Sequence, residues 1–208
     1  MNIFDVQMVA SASNNKDIDA LLVREIRERH DRAAFAQLVN KYQSTVFGFC
    51  YRYTGNSRDA EDIAQDIFIK VFRHIGNFRG ESKFSTWLYS IMANTCASHA
   101  RWVRNKRIRE METWHPVDKE GTSLSHDVPD QSGDPEKKLL NKELGSVIQQ
   151  IIARLKDRQR SVVIMKDFQG KTYEEIASVM NMNLGTVRST LSRGRLAIAK
   201  QMKEYLKT

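Results

Sequence analysis

The most informative side chains in this 208-residue sequence are arginines and serines near its carboxyl end. From Leu184 to about Lys200, the apolar residues Val187, Leu191 and Ile198 recur at helical spacing and would face inward. Arginine binds guanine edges or phosphates, and short hydroxyls bind backbone oxygens. The pattern predicts a helix that enters the major groove of DNA; a solvated helix with ordinary arginines is the alternative. Its candidate contacts are Thr186, Arg188, Ser189, Ser192, Arg193 and Arg195.

The residues before this helix predict a helix-turn-helix. Thr172 and Glu175 have the spacing of a capping box, which would begin a short helix that ends near Met180. Asn181 then stands where a tight turn needs positive φ, and asparagine is the least costly residue there after glycine. Ala177 is small enough to let the second helix cross closely. Together these features position the arginine-bearing helix.

A second group of polar side chains lies on a predicted helix in the first half of the chain. An isoleucine stripe would be buried, and the opposite face would present Asp62, Gln65, Asp66 and Ile69. An acidic face with one exposed isoleucine suits a protein partner that carries basic side chains. An ordinary solvated face explains the same pattern equally well.

A loop and a basic helix follow this acidic helix. Residues 76–82 contain two glycines, and the next predicted helix places aromatic and amide side chains beside cations. Such a combination suits single-stranded DNA, whose unstacked bases offer π-faces and free edges. Asn94 and Arg101 lie seven residues apart on the outer face and are the best contact candidates, whereas Phe84 and Trp87 are expected in the core. The cluster at the end of the helix is Arg101, Arg104, Lys106, Arg107 and Arg109.

The charge distribution divides the chain. Residues 1–108 carry a net charge of +5, residues 109–137 carry −5, and residues 138–208 carry +8. All three prolines fall within 109–137, where no helical or strand periodicity occurs. We therefore expect a flexible leader at 1–16, a helical domain at 17–108, a flexible acidic linker at 109–137 and a helix-turn-helix domain at 138–208. An ordered surface loop is the alternative for 109–137.

The predicted fold class is all-α, with two small helical domains, because apolar spacing is helical on both sides of the linker. No apolar run approaches the roughly 18–20 residues of a membrane span, so membrane insertion is not expected. The N-terminus is a poor secretory signal and the two cysteines offer no disulfide framework, so a cytoplasmic location is expected. Cys50 and Cys96 form no disulfide framework and are expected as small core residues rather than redox sensors. The sequence contains no zinc, phosphate-loop or nucleophile-elbow motif, so we expect no catalytic residue, metal or cofactor.

Three segments together resemble a known family. They are DAEDIAQDIFIKVFR from residue 59, FSTWLYSIMAN from residue 84, and LKDRQRSVVIMKDFQGKTYEEIASVMNMNLGTVRSTLSRGR from residue 155. In this order, the segments are similar to those of the extracytoplasmic-function (ECF) group of bacterial sigma factors. The resemblance covers about residues 20–108 and 138–203.

The resemblance implies a division of labour between the two domains. The first domain would dock on a coiled coil of the largest subunit of RNA polymerase through Asp62, Gln65, Asp66, Phe68 and Ile69. It would also read the minus-ten element and capture a flipped base. Its expected DNA contacts are Asn77, Phe78, Arg79, Gly80, Ser82, Asn94, Arg101 and Arg104.

The resemblance further implies that the second domain reads the minus-thirty-five element through the arginine- and serine-bearing helix. The acidic linker would thread toward the polymerase active-site cleft. The implied partners are core RNA polymerase, through its largest and second-largest subunits, and promoter DNA, with an anti-sigma factor as a further candidate. A dimeric helix-turn-helix regulator that is not a polymerase subunit is the rival class, but it gives the acidic helix no role.

Three residues depart from the family pattern. Lys156 stands where the family usually has proline, which predicts a less rigid entry to the next helix. Thr190 stands where arginine or lysine is common and predicts a weaker phosphate contact. Gly194 replaces alanine and predicts a lower helix propensity.

Overall fold

The computed structural model describes residues 18–112 and 135–207, and every regular element in these ranges is helical. The first unit contains α1 (residues 18–29), α2 (Arg32–Thr54), α3 (Ser57–His74), a 3₁₀ turn (Ile75–Asn77) and α4 (Phe84–Glu112). The second contains α5 (Pro135–Ala153), α6 (Asp157–Val163), a π-helical turn (Ile164–Phe168), α7 (Tyr173–Met180) and α8 (Leu184–Tyr205). The all-α prediction is confirmed.

The boundaries of the predicted linker differ from the structure at both ends. α4 continues to Glu112 and α5 begins at Pro135, so seven residues assigned to the linker are helical. An ion pair between Lys106 and Glu110 (3.8 Å) supports the extension of α4, and proline is favoured in the first turn of a helix. The predicted leader and the rest of the linker lie outside the described residues.

The first unit is a bundle whose helix ends are fixed by local signals. The Asp31 carboxylate accepts a hydrogen bond from Ala33 N (2.7 Å) at the start of α2, and Gly55 ends the helix with φ 76°. Asn56 caps α3 in the same way, accepting from Arg58 N (2.8 Å). The core of the unit is built from Leu38, Val46, Phe49, Ile63, Ile67, Val71, Leu88 and Met92.

The second unit packs α6 against α8 at close range. An added Cβ on Gly194 of α8 would lie 2.8 Å from Val163 Cγ2 of α6. The absence of a side chain at Gly194 therefore allows the two helices to lie this close together. The glycine lowers helix propensity, as predicted, but it is also required for the packing of α6 on α8. Thr190, one turn earlier, is buried and faces the same interior, so it does not occupy a phosphate-contacting position.

The first and second units share one apolar core, and side chains of the second unit bind the end of α2. Gln149 Nε2 donates to Tyr51 O (2.9 Å) and Arg52 O (2.8 Å), and Arg160 Nη1 donates to Tyr53 O (2.9 Å). The last carbonyls of a helix have no partner within it, so these donors satisfy groups that α2 cannot.

Arg160 is buried at this junction with only 7% of its surface exposed. Besides Tyr53 O, its guanidinium donates to Ala153 O and to Leu155 O (2.8 Å), and it lies 4.5 Å from the Tyr53 ring centroid. A buried charge is tolerated when hydrogen bonds replace its water, and here three carbonyls and an aromatic face do so for the two Nη atoms, while Nε is buried without a hydrogen-bond partner among the described residues.

Cys50 of α2 and Cys96 of α4 are both fully buried, and their sulfur atoms are 3.9 Å apart. They lie among the apolar side chains of the first unit, as expected for small core residues. The hydrogen bond with Cys50, together with burial, raises the pKa of the Cys96 thiol, which keeps it in the unreactive protonated form.

Gly194→Ala is expected to lower the free energy of unfolding by about 1–3 kcal/mol, because the β-branched Val163 is buried and cannot swing aside. Gly145→Ala in α5 is the matched control. Its new Cβ would meet nothing within 4 Å, so it should stabilise by up to about 1 kcal/mol. Denaturant unfolding followed by circular dichroism measures both; stabilisation by both substitutions would contradict the close approach.

Candidate nucleic-acid interface

The helix-turn-helix is formed by α7, the turn at Asn181 and α8. Thr172 N donates to Glu175 Oε2 (2.9 Å) and Glu175 N donates to Thr172 Oγ1 (3.1 Å), which completes the predicted capping box. Asn181 adopts the left-handed conformation with φ 49°. Asn183 then caps α8 by accepting from Thr186 N (2.7 Å). Each of these local features fixes the direction in which α8 leaves the turn.

The two faces of α8 differ in chemistry. Val187 and Leu191 are buried in the same apolar core as Ile176 of α7. The predicted DNA contacts lie on the outer side, where all are exposed apart from the half-buried Thr186: Arg188, Ser189, Ser192, Arg193 and Arg195. The structure therefore places these guanidinium and hydroxyl groups where a duplex can reach them.

The three arginines of this face have different surroundings. The Arg188 guanidinium lies 5.8 Å from the Tyr173 ring centroid, and Arg193 Nε donates to Ser189 O (3.1 Å) of its own helix. Arg195 forms a two-point ion pair with Asp167 of the π-helical turn, with one bond of 3.1 Å between Nε and Oδ2. Arg195 is thus already bound within the unit, whereas Arg188 has no carboxylate partner among the residues that the structure describes.

The loop after α3 is anchored at its ends and exposed between them. Phe78, a predicted DNA contact, is buried and packs on Phe84 (6.0 Å between ring centroids) and Trp87 (5.3 Å). Its side chain holds the loop and is not available to a DNA strand in this arrangement. The other predicted loop contacts are exposed: Asn77, Arg79, Gly80 and Ser82. Gly80 has φ 77°, a conformation that favours glycine.

The outer face of α4 carries the remaining strand-binding candidates. Asn94 and Arg101 are both exposed, and Arg101 donates to Ser98 Oγ (3.0 Å) of the same helix. Arg104 instead forms a two-point bond with Asp157 of α6, at 3.2 and 3.0 Å. Burial opposes ionisation of Asp157, yet the hydrogen bonds and charge of Arg104 hold the pKa of that carboxyl below its usual value. This pairing joins residues 53 positions apart, so local sequence patterns do not predict it.

The acidic face of α3 is exposed as predicted at Asp62, Gln65, Asp66 and Ile69, with Phe68 half-buried beside them. Sequence reasoning missed the groove that continues this face, which has a volume of about 690 Å³. Its lining residues are Arg32, Phe35, Phe68, Ile69, Phe72 and Arg73. The spacing of Phe68, Ile69 and Phe72 could have predicted this groove, because these three apolar residues lie on one side of α3 outside the buried isoleucine stripe.

Lys156 keeps the backbone direction that proline would give at this position, and a less rigid entry to α6 stays a prediction. It precedes α6 with φ −60°, the angle that a proline ring would impose, so the substitution leaves the direction of the helix entry unchanged.

Within residues 18–112 and 135–207, no three His, Cys, Asp or Glu side chains are arranged to hold a metal ion. No helix in the same ranges is long and apolar enough to cross a membrane.

Comparison with known proteins agrees with these features. Residues 38–108 match the family described as Sigma-70 region 2, and residues 146–198 match Sigma-70, region 4. The RNA polymerase sigma-H factor of Pseudomonas aeruginosa is 37% identical over 189 residues, which cover 91% of this chain and 96% of the relative. The ECF RNA polymerase sigma factor SigW of Bacillus subtilis is 32% identical over 189 residues, which cover 90% and 100%.

Solved structures agree at the level of the fold. The sigma factor RpoE of Bartonella quintana, solved with the anti-sigma factor NepR, has a TM-score of 0.60 at 22% identity, covering 81% of this chain and 96% of that chain. CnrH, solved with the cytosolic domain of CnrY, has a TM-score of 0.61 at 16% identity, covering 90% and 99%.

The helix-turn-helix joined to an acidic-faced helical unit defines a bipartite DNA-binding protein. With relatives of 32–37% identity along nearly its whole length, the chain belongs to the ECF RNA polymerase sigma factors. The resemblance found in its sequence is confirmed, and the rival class of dimeric regulator is not supported.

Proposed function

We propose that this protein binds core RNA polymerase and directs it to promoters through two DNA-binding surfaces, without catalytic chemistry of its own. The proposal rests on one observation, that a face suited to a protein partner and faces suited to DNA lie on different helices of the same chain. An acidic and apolar face on α3 is distinct from the cationic faces of α4 and α8. A cytoplasmic location follows from the proposed partners.

The face of α3 is proposed to dock on the largest subunit of the polymerase. Asp62, Gln65 and Asp66 would meet basic side chains, while Phe68 and Ile69 contribute apolar contact area. A charged rim around an apolar centre is the usual composition of a specific protein interface. The groove lined by Phe35 and Phe72 extends this centre along α2.

Strand recognition is assigned to the loop and to α4, and duplex recognition to α8. Asn77, Arg79, Gly80 and Ser82 form the exposed rim of the loop, and Asn94, Arg101 and Arg104 lie along α4. These groups combine hydrogen-bonding amides with cations that balance phosphate charge. The assignment of α8 rests on Thr186, Arg188, Ser189, Ser192, Arg193 and Arg195.

An anti-sigma protein is a further proposed partner. The two similar solved structures are complexes, one with the anti-sigma factor NepR and the other with the cytosolic domain of CnrY. Exposed apolar side chains, including Phe72 at 52% and Leu196 at 71%, offer contact area on both units.

Run-off transcription with purified core polymerase tests the proposal. The chain with core should produce discrete transcripts from a promoter identified by start-site mapping, whereas core alone should not. Tight binding of the chain alone to duplex DNA, without any core-dependent transcript, would favour a dimeric regulator.

Asp62→Arg with Asp66→Arg should weaken core binding at least tenfold while the fold is retained, because each change replaces a proposed attraction with repulsion. The matched control is Glu28→Arg with Glu174→Arg, which alters net charge equally at exposed sites away from α3. Fluorescence anisotropy of labelled protein with core measures both affinities. Equal effects from the two double variants would remove the docking assignment.

Arg188→Ala should cost about 1–3 kcal/mol of promoter binding at one base position if the guanidinium makes a bidentate base contact. Lys203→Ala, which is exposed further along α8, is the control. Holoenzyme binding to a set of minus-thirty-five variants resolves the effect by position. Uniform weakening across all sequences would instead identify a phosphate contact.

A further inference from the structure

The two tryptophans in the described part of the chain have different surroundings. Trp87 packs on Phe78 (5.3 Å between ring centroids) and on Phe84 (5.7 Å) in the first unit. Trp102, about four turns further along α4, keeps 54% of its surface exposed. Large aromatic side chains are highly buried on average, so an indole left in solvent on an ordered helix suggests a ligand. Neither the docking face of α3 nor the proposed strand contacts include Trp102.

Two neighbours on α4 hold the indole of Trp102 in place. The His99 ring lies 5.9 Å from the Trp102 ring at an angle of 38°, and Lys106 Nζ lies 5.3 Å from the Trp102 ring centroid. His99 and Lys106 stand three positions before and four positions after Trp102, so both adjoin it on the helix surface. Lys106 Nζ also lies 3.8 Å from Glu110 Oε1. The ring is therefore restricted before any ligand binds, which lowers the entropy lost on stacking.

The exposed stripe of α4 that carries Trp102 is rich in polar groups. Its residues recur at helical spacing, and all of them are exposed: Asn94, Ser98, Arg101, Trp102, Asn105 and Arg109. The segment 101–109 contains five cationic side chains and no acidic one. An aromatic face among amides, hydroxyls and cations suits a single nucleic-acid strand, because the cations balance phosphate charge and the ring stacks on a base.

A protein partner fits this surface less well. The core of a protein interface is depleted of charge, whereas cationic residues surround Trp102. Among the described side chains of α4, the other exposed large apolar residue beyond Trp102 is Ile108. It lies six positions along the helix, and residues at that separation face different sides. On α4 the indole is therefore a single aromatic group in a cationic surface, not the centre of an apolar patch.

We propose that Trp102 is a further DNA-contacting residue, and that its indole stacks on one unpaired base of the strand bound along α4. The inference rests on the proposed function, because it adds a contact to the surface assigned to strand recognition. Every base has a π-face, so the contact requires that a base be present but is indifferent to which base it is. Trp102 thus fixes the position of the strand without selecting its sequence.

The test uses holoenzyme assembled from core polymerase and the full chain. Its DNA probe is a fork in which the non-template minus-ten segment of a mapped promoter is single-stranded, and each base of this segment is replaced in turn by an abasic site. Removal of the stacked base should weaken binding about five- to twentyfold. Trp102→Ala should weaken binding to the intact fork by the same factor, and the abasic site at that position should then cause no additional loss.

Two further variants and a fluorescent base complete the test. Trp102→Tyr should retain the affinity within about threefold, because a phenol ring also stacks on a base. Ile108→Ala is the matched control, because Ile108 lies on the same helix with the same exposed fraction of 54% but on another side, and it should leave binding unchanged. 2-Aminopurine at the stacked position should lose fluorescence on binding to the native chain and to Trp102→Tyr, and should keep it with Trp102→Ala.

Three results would overturn the stacking contact: an affinity that Trp102→Ala does not alter, a loss that is coupled to no abasic position, or a loss confined to assembly with core. The last of these would identify Trp102 as a polymerase contact. Failure of the proposed function is distinguishable, because the native chain would then give no core-dependent transcript and no holoenzyme binding to the intact fork.

Discussion

The carboxyl end of α2 is the point on which the arrangement of the two units depends. Its last carbonyls point out of the helix, and the second unit supplies the amide of Gln149 and the guanidinium of Arg160 to bind them. Arg160 is tolerated in the interior because its guanidinium donates to Tyr53 O of α2 and to two carbonyls of its own unit, Ala153 O and Leu155 O. Removal of the α2 carbonyls, or of the Gln149 and Arg160 side chains that bind them, would leave buried polar groups without partners. The junction and the buried charge therefore stabilise one another.

The parts of the fold that were predictable from the sequence are those set by neighbouring residues. The caps at Asp31, Asn56 and Thr172 and the turn at Asn181 each depend on groups within four positions, and the structure contains all of them. Apolar spacing likewise predicted which side of α3 and α8 is buried, because helical periodicity is local.

The features that escaped prediction depend on contacts between distant segments. Gly194 looked unfavourable by helix propensity, yet its role is decided by Val163 of another helix. Arg104 was recognisable as a cation, but its bond to Asp157 requires the relative placement of two units. Phe78 lies in a loop that the sequence analysis predicted, but its side chain is buried because it packs against Phe84 and Trp87.

The anchoring of the loop by Phe78 and Phe84 leaves just five residues between two buried rings. The two buried rings restrict the backbone of this short segment, so under the proposed strand recognition less conformational entropy would be lost when a nucleobase binds. Selectivity at this rim would then come from the identity of the residues from Arg79 to Lys83 rather than from an adaptive rearrangement.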